Sequence, residues 1–402
     1  MRVVALSLCF VACTASAVDI DDVLDRLDST LTLSAYQNNL RARLSGTLDL
    51  ELYHFDQPSP GLINSGSDTL FSPRLSLFLD AQVGSQIYFF VQSRLDRGFD
   101  PSDAGAQIRL DEYALRVTPW EDGRLSAQIG KFATVVGNWV PRHLSWDNPF
   151  INAPLVYENV TAIRDHGERI PLHFAKDLLN DKYEFNPVIW GPSYASGIAV
   201  SGKIGKFDYA AEMKNASLSS RPASWSVTDV GFNHPTFSAR GGFRPDEAWN
   251  FGLSFSDGAY LRSEAESTLP MGRSIGDFHE LVLGQDASFA WRHWQFWAEF
   301  YEARFEVPRM GDADTFAYYF EVKYKFTPQL FGAVRWNQQL FNTIEKRGDV
   351  IGTGQDLGRI DIAATYRFST HTQLKVQYDF QHETSGRQDE NHLIAAQFTV
   401  RF

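Results

Sequence analysis

The sequence predicts an all-β chain, a transmembrane antiparallel β-barrel of about 16 strands (alternative 18) with a long inward-folded third loop. Three observations predict it. Segments of about ten residues alternate apolar and polar positions along nearly the whole chain. The last of them sets Ile394, Ala396, Phe398, Val400 and Phe402 against Gln397, Thr399 and Arg401, and a period of two gives a strand one wet and one apolar face. The connections between segments are alternately very short and rather long, and aromatic residues crowd the short-turn ends. In hydrocarbon every backbone polar group must pair inside the protein, so strands cross a membrane only as a closed barrel.

The chain opens with a separate message. Arg2, the apolar run Val3 to Ala12 and the small residues Ala15-Ser16-Ala17 read as a cleaved signal peptide over residues 1–17, since the apolar run is too short to span a bilayer as a helix. A looser reading takes Phe10-Val11-Ala12-Cys13 as a lipid-attachment box. Both cysteines, Cys9 and Cys13, lie in this segment, which leaves no disulfide framework for the rest. Residues 18–40 follow as a short periplasmic N-terminal segment, where Ile20, Val23, Leu24 and Leu27 have the spacing of one or two turns of amphipathic helix. Residues 41–402 form the barrel.

Sixteen strands are expected there: Arg41–Tyr53, Arg74–Val83, Ile87–Asp96, Ile108–Thr118, Arg124–Phe132, Gly197–Ile204, Phe207–Lys214, Phe237–Arg244, Trp249–Ser256, Leu281–Trp291, Trp294–Ala303, Thr315–Phe326, Leu330–Gln339, Arg359–Phe368, Leu374–Gln381 and Leu393–Phe402. The short connections, from Gly84-Ser85-Gln86 through Gly205-Lys206 and Arg292-His293 to Ser369–Gln373, fall after every even-numbered strand. That phase puts both ends of the barrel on one side, the periplasmic one. Trp120, Trp249, Trp291, Trp294, Phe326, Phe331, Phe368 and Phe402 gather at the short-turn ends as an interfacial girdle. A mean hydropathy of −0.27 suits a barrel, which hides its apolar surface by alternation. The net charge of −12 speaks against a nucleic-acid partner.

A charge on the lipid side at mid-membrane costs about 2–4 kcal/mol for Arg or Lys, so charged strand positions are assigned to the lumen. The wall then carries Arg41, Arg43, Arg74, Arg94, Arg116, Arg240, Arg292, Arg335, Arg359 and Arg367. Its acids include Asp49, Glu51, Asp80, Asp96, Glu112, Glu299, Glu321, Asp361 and Asp379. External loops are expected to hold excess acid, Asp312 and Asp314 among it. Strand four loses its register near Asp111, which predicts a bulge there.

The longest connection, Ala133 to Ser196, is rich in aromatics (Trp139, Trp146, Phe150, Tyr157, Phe174, Tyr183, Phe185, Trp190). It has apolar surface to bury, and the lumen is the protected place to bury it. An external cap, or an extra hairpin from Pro154–Thr161 and Lys182–Trp190 that would make 18 strands, is the competing reading. The pattern of sixteen strands, an enlarged third loop and a terminal Phe resembles the bacterial outer-membrane porins. Within it, Gly130, Lys131, Phe132, Thr134 and Gly137 match a segment of the phosphate-selective porin group, while Val135 and Val136 stand where Pro-Phe is expected. The resemblance implies a homotrimer in contact with outer-membrane lipid and lipopolysaccharide. It also implies that the outer-membrane assembly machinery reads the terminal Phe402.

With no plug domain and no nucleotide or proton-relay motif, the expected function is passive diffusion of small hydrophilic solutes or ions, with a weak anion preference. Arg142, Asp147, Glu158, Arg164, Asp165, Glu168 and Arg169 of the third loop are candidates for the constriction. They would face wall arginines such as Arg41, Arg43, Arg94 and Arg116 across a transverse field. The rival classes are a receptor or adhesin barrel and a barrel enzyme. An enzyme needs a nucleophile beside a histidine, and His143, His166 and His173 have no G-x-S-x-G or HExxH motif beside them. No cofactor or metal is expected.

Overall fold

Sixteen antiparallel strands close on themselves. The computed structural model describes residues 20–37, 39–97, 106–166, 185–221, 231–346, 349–384 and 390–402. The leader expected over residues 1–17 lies outside them. The barrel strands are β1 (Leu40–Phe55), β2 (Thr69–Val83), β3 (Ile87–Asp96), β4 (Gln107–Val117), β5 (Ser126–Phe132), β6 (Ala195–Ile204), β7 (Phe207–Lys214) and β8 (Thr236–Phe243). They continue as β9 (Trp249–Ala259), β10 (His279–Trp291), β11 (Trp294–Val307), β12 (Gly311–Lys325), β13 (Leu330–Phe341), β14 (Leu357–Arg367), β15 (Thr372–Glu383) and β16 (Glu390–Arg401). Each pairs with its sequence neighbour, and β1 meets β16 with Thr47 opposite Arg401. A seventeenth strand of the sheet, Thr32–Ala35, pairs only with the first residues of β1.

The dyad governs every face. On β14, Arg359, Asp361, Ala363 and Thr365 are buried inward while Ile362 and Tyr366 stand exposed outward. On β12, Tyr319 and Glu321 are buried while Phe316 and Phe320 are exposed. The expected bulge is present: Gln92 pairs with Glu112 and Ser93 with Leu110, so Asp111 has no opposite number. The extra residue turns Asp111 inward, where it is fully buried and meets Arg94 and Arg109.

Trp120, Trp249, Trp291, Trp294, Phe326 and Phe368 line the outer rim at the short-turn end. Three sequence expectations need correction. Phe331 is not in that girdle, because its odd position on β13 sends it inward beneath Lys323, where it is 5% exposed. Arg292 belongs to the β10–β11 turn, with φ 53° and its guanidinium over Trp291, and not to the wall. Asp312 and Asp314 lie on the long upper part of β12, and Asp314 binds Arg304 at 2.7 Å.

The N-terminal segment forms helix α1 (Ile20–Thr30) under the short-turn rim. Asp25 and Asp28, three apart and so on one face, reach His371 and Arg43, each at 2.9 Å. The His371 ring lies in the β14–β15 turn, and its other nitrogen meets the Arg401 carbonyl at 2.9 Å. Partial burial works against the charged ring, but the hydrogen bonds to Asp25 and to that carbonyl win and raise its pKa above 6.5. A raised histidine pKa gives stabilisation that is complete below the unfolded value and is lost as pH rises through the folded one. Helix α1 is therefore expected to resist amide exchange near pH about 5.5 and to exchange faster near pH about 8.5. In His371→Ala the rate corrected for intrinsic chemistry should not depend on pH; an unchanged dependence would refute the tether.

The 18-strand alternative does not hold. Residues 155–158 make a single helical turn, α2 (Leu155–Glu158), and Val160–Arg164 pairs with Phe185–Pro187 as a separate two-stranded ribbon inside the barrel. The remainder of the proposed hairpin, residues 182–184, lies outside the described residues. The first long loop also turns inward, which sequence reasoning did not foresee. Its Leu62 packs with Val160, Phe185, Trp190 and Tyr194, and its Ile63 with Tyr53, Phe55 and Leu393.

Candidate functional site

The third loop crosses the lumen and docks on the wall of β10–β15. Its apolar residues Val136, Trp139, Val140, Val156, Tyr157, Ile163, Val188 and Ile189 form one cluster with Val282, Tyr301, Ala303, Phe305, Ala317 and Tyr319. Burying each large side chain contributes about 1.5–3 kcal/mol. Polar contacts fix the register. Glu299 accepts hydrogen bonds from the Asn138 amide, from the Trp139 amide at 3.0 Å and from the Tyr157 hydroxyl at 2.8 Å. Lys375 is fully buried and donates to the carbonyls of Ser145 (3.0 Å), Asn148 (2.8 Å) and Phe150 (3.1 Å). Arg359 binds Glu158 and donates to Ala153 O at 2.6 Å.

The segment quoted for its family resemblance is where the loop leaves β5, and its residues have physical reasons. A methyl on Gly130, at φ +143°, would overlap the Tyr113 carbonyl and lie 2.7 Å from Ala114 Cα. Lys131 donates to Leu110 O beside the bulge at 2.7 Å, and Thr134 donates to Glu212 at 2.7 Å. Gly137 has φ +79°, and a methyl there would overlap the Tyr301 hydroxyl and come within 2.6 Å of Glu299 and of Tyr157. Gly137→Ala is expected to cost about 1–3 kcal/mol through left-handed backbone strain, plus displacement of these buried partners. Urea denaturation in vesicles would read it as a lower midpoint; an unchanged midpoint would show that the loop tolerates a side chain here.

The sequence-derived candidates fall into groups. Arg142 turns to the wall, donating to Glu321 at 2.5 Å and to Tyr319 at 3.1 Å beneath the Trp297 ring. Asp165 is buried and holds Arg221 at 2.6 Å and Arg262 at 3.2 Å. Arg164 stacks on Phe185 at 4.6 Å. Glu158 alone of the described candidates borders the open space beside the first loop, while Asp147 is exposed on the short-turn side of the third loop. Glu168 and Arg169 lie outside the described residues. On the wall, Arg335, Arg359, Glu321 and Asp361 are buried under the loop. Arg240 pairs with Asp286 at 2.7 Å and Asp208 at 3.1 Å, and Arg116 donates to Gln128 at 2.9 Å. Arg41 and Arg43 stand exposed at the short-turn mouth, and Arg367 lies against Trp146 at 4.8 Å. Of the four early-strand arginines expected to face the loop, Arg94 does so.

Between the third loop, the first loop and the wall of β1–β3 and β16 lies a cleft of about 130 Å³. It is lined on the wall by Asp49, Arg74, Arg94 and Gln397, and on the loop by His143, Asn148, Asn152 and Glu158. Sequence reasoning had placed Asp49, Arg74 and Arg94 in the lumen by parity but missed the neutral donors, which carry no charge to betray them. Burial lowers the His143 pKa to about 4, so its ring is neutral near pH 7. Its Nδ1–H donates to Val140 O at 2.6 Å, which leaves Nε2 to accept from the Tyr194 hydroxyl at 2.7 Å. Among the described residues no group of three or more His, Cys, Asp or Glu is placed to hold a metal ion.

No protein-family model and no curated protein matches the chain. Solved structures do match. One is OmpT, an outer membrane protein of Vibrio cholerae, at 10% identity and TM-score 0.57 over 92% of this chain and 99% of that one. Another is OmpF of Salmonella typhi in complex with daunomycin, at 11% identity and TM-score 0.57 over 92% of this chain and 100% of that one. A third is an anion-selective porin from Comamonas acidovorans, at 11% identity and TM-score 0.55 over 90% of this chain and 100% of that one. At such identities the likeness is one of architecture, and the architecture is that of a porin-like outer-membrane barrel.

Proposed function

We propose that this chain is a passive diffusion channel for small hydrophilic solutes or ions across the outer membrane of a Gram-negative-type bacterium. The observation that carries the reading is the cleft, lined by charged and amide groups as well as apolar ones, between the inward third loop and the β1–β3 wall of a closed sixteen-strand barrel. Charged and amide groups on both of its sides favour hydrated solutes over apolar ones, as desolvating Arg74, Asp49 or Asn152 for a greasy molecule would leave buried polar groups unmet. In this reading residues 1–17 are a cleaved leader, residues 18–40 stay in the periplasm, and the short turns face it. The aromatic rim at those turns supports that orientation. The outward apolar band meets lipid and lipopolysaccharide. A homotrimer draws support from a trimer form described for OmpT of Vibrio cholerae. The resemblance to the phosphate-selective group rests on the Gly130–Gly137 segment alone, whose residues hold the loop and touch no solute path, so phosphate selectivity is not part of the proposal.

Planar-bilayer recording with the purified protein tests it. Wild type should conduct in potassium chloride without an energy source, with a reversal potential leaning weakly towards anions. Deletion of residues 140–170 should raise conductance and flatten selectivity. Unchanged conductance in a folded deletion variant would place the solute path elsewhere. Folded protein that never conducts would favour the receptor or adhesin reading instead.

A further inference from the structure

The outward face of β10 interrupts the apolar band with an amide. Gln285 is the middle residue of that strand, and its parity points it outward, where it is exposed. Its neighbours on the same face are apolar: Leu283 and Ala287 along the strand, Leu253 and Phe300 opposite it on β9 and β11. Among the described residues no hydrogen bond reaches the Gln285 side chain. The outward Gln338 differs, being half-buried and three residues from the outer end of β13. Hydrocarbon offers an amide no partner, and an unmet amide there is costly. The partner of Gln285 must therefore come from outside the barrel.

The surface beside it is dented. Ala287 and Ala298 stand opposite each other in the floor of a trough of about 620 Å³, with Phe251 across from Ala287 and Phe320 across from Ala298. A second trough of about 530 Å³ runs over Gly241 and reaches Gln285 from the other side. Leu253 stands up from the wall there, 67% exposed. Leu253 and Ala298 each lie four residues from the short-turn tryptophan that begins their strand, Trp249 and Trp294. Because β9 and β11 run the same way, this knob and this hollow share one depth in the membrane. They lie one strand to either side of Gln285.

We propose that a second copy of this chain docks on this face, about a two-fold axis that runs along the membrane normal beside β10. Copies inserted in the same sense can be related by a two-fold only about that normal. Such a contact is isologous, so it opposes β10 to itself and β9 of each copy to β11 of the other. Leu253 then enters the Ala287–Ala298 trough twice over. An amide both donates and accepts, so Gln285 and the same residue of the second copy satisfy each other, which an acyl chain cannot do. The small residues let the two sheets approach closely. A three-fold ring uses two different faces of each copy, so this contact is separate from the seam of a homotrimer. The inference rests on the apolar band meeting lipid and is independent of the channel reading.

Cysteine cross-linking in intact outer membranes tests the contact. Wild type, whose two cysteines lie in residues 1–17, sets the background. Gln285→Cys should give a disulfide-linked dimer on mild oxidation, whereas Ile362→Cys, outward on β14, should stay at background. Adding Ala298→Trp to Gln285→Cys fills the trough and should cut the dimer yield by about tenfold. If that variant fails to fold by heat-modifiable gel mobility, Leu253→Ala in its place is read the same way. Energy transfer between labelled copies reads the amide itself: Gln285→Leu should weaken association by about fivefold or more. Cross-linking at 285 no stronger than at 362, or association unmoved by Gln285→Leu, overturns the inference. Lipopolysaccharide that co-purifies with wild type but not with Gln285→Leu, without a cross-link at 285, would also overturn it and give the amide to lipid.

Discussion

Replacing Arg335 with methionine is expected to unseat the third loop and to be the most destabilising single change on the inner wall. Arg335 is completely buried and serves two sides at once. Towards the wall it binds Asp361 at 2.6 Å and lies 3.7 Å from Glu321; towards the loop it donates to the Asn152 side chain at 3.0 Å and to Ala153 O at 3.1 Å. Its guanidinium also covers Phe150 at 4.3 Å. Removing one member of a buried ion pair costs about 3–5 kcal/mol, and the loss here is expected at the lower end of that range, because Asp361 keeps Arg359 at 2.7 Å and Glu321 keeps Arg142. The loop carbonyls lose their donor at the same time. The expected result is a lower urea midpoint in vesicles, new protease cleavage between residues 140 and 160, and a larger, noisier conductance. Arg335→Lys should recover part of the stability, since one ammonium cannot reach all these oxygens. Wild-type stability in Arg335→Met would mean that water replaces the guanidinium at little cost.

One residue earlier the same side chain should fail for the opposite reason. Val334 faces outward, flanked across the strand pairs by Val322 and Ile362. Val334→Arg would place a guanidinium in the middle of the apolar band, at a cost of about 2–4 kcal/mol. The folded fraction after dilution from urea into vesicles, read on an unheated gel, should fall well below that of Val334→Leu. Folding in good yield with the arginine would mean that this face is covered by protein or water and not by lipid. Adjacent residues, one needing the charge and the other excluding it, test the inside–outside assignment more sharply than either change alone.

The strands were legible in the sequence because lipid enforces the dyad residue by residue. A single out-of-phase acid, Asp111, was enough to place the bulge. The same parity rule would have kept Phe331 out of the girdle and would have put Lys375 on the inner wall. What the sequence did not carry was partnership. Arg142 and Glu321, or Asp165 and Arg221, are far apart along the chain and meet only because the third loop folds across the barrel. A run of charges in a long loop therefore read as a pore lining, when the structure spends Arg142 and Asp165 on holding the loop to its wall. The neutral residues Asn148 and Asn152, which border the cleft, had no pattern to mark them.

The seam between β1 and β16 has a consequence for how the molecule comes into being. Thr47 lies opposite Arg401, and the backbone groups of Gly46 and Phe402 exchange hydrogen bonds at 3.0 Å. Every other barrel pairing joins strands consecutive in the chain, but this pair must search across nearly the whole barrel sequence, the slowest kind of contact to form. Until it forms, two open edges remain, each a template for pairing with another chain. Closure is then a late, all-or-none event that turns an aggregation-prone sheet into a tube without edges. Weakening this seam should lengthen the lifetime of the open sheet more than it weakens the closed barrel, so its defects would surface first as lost yield.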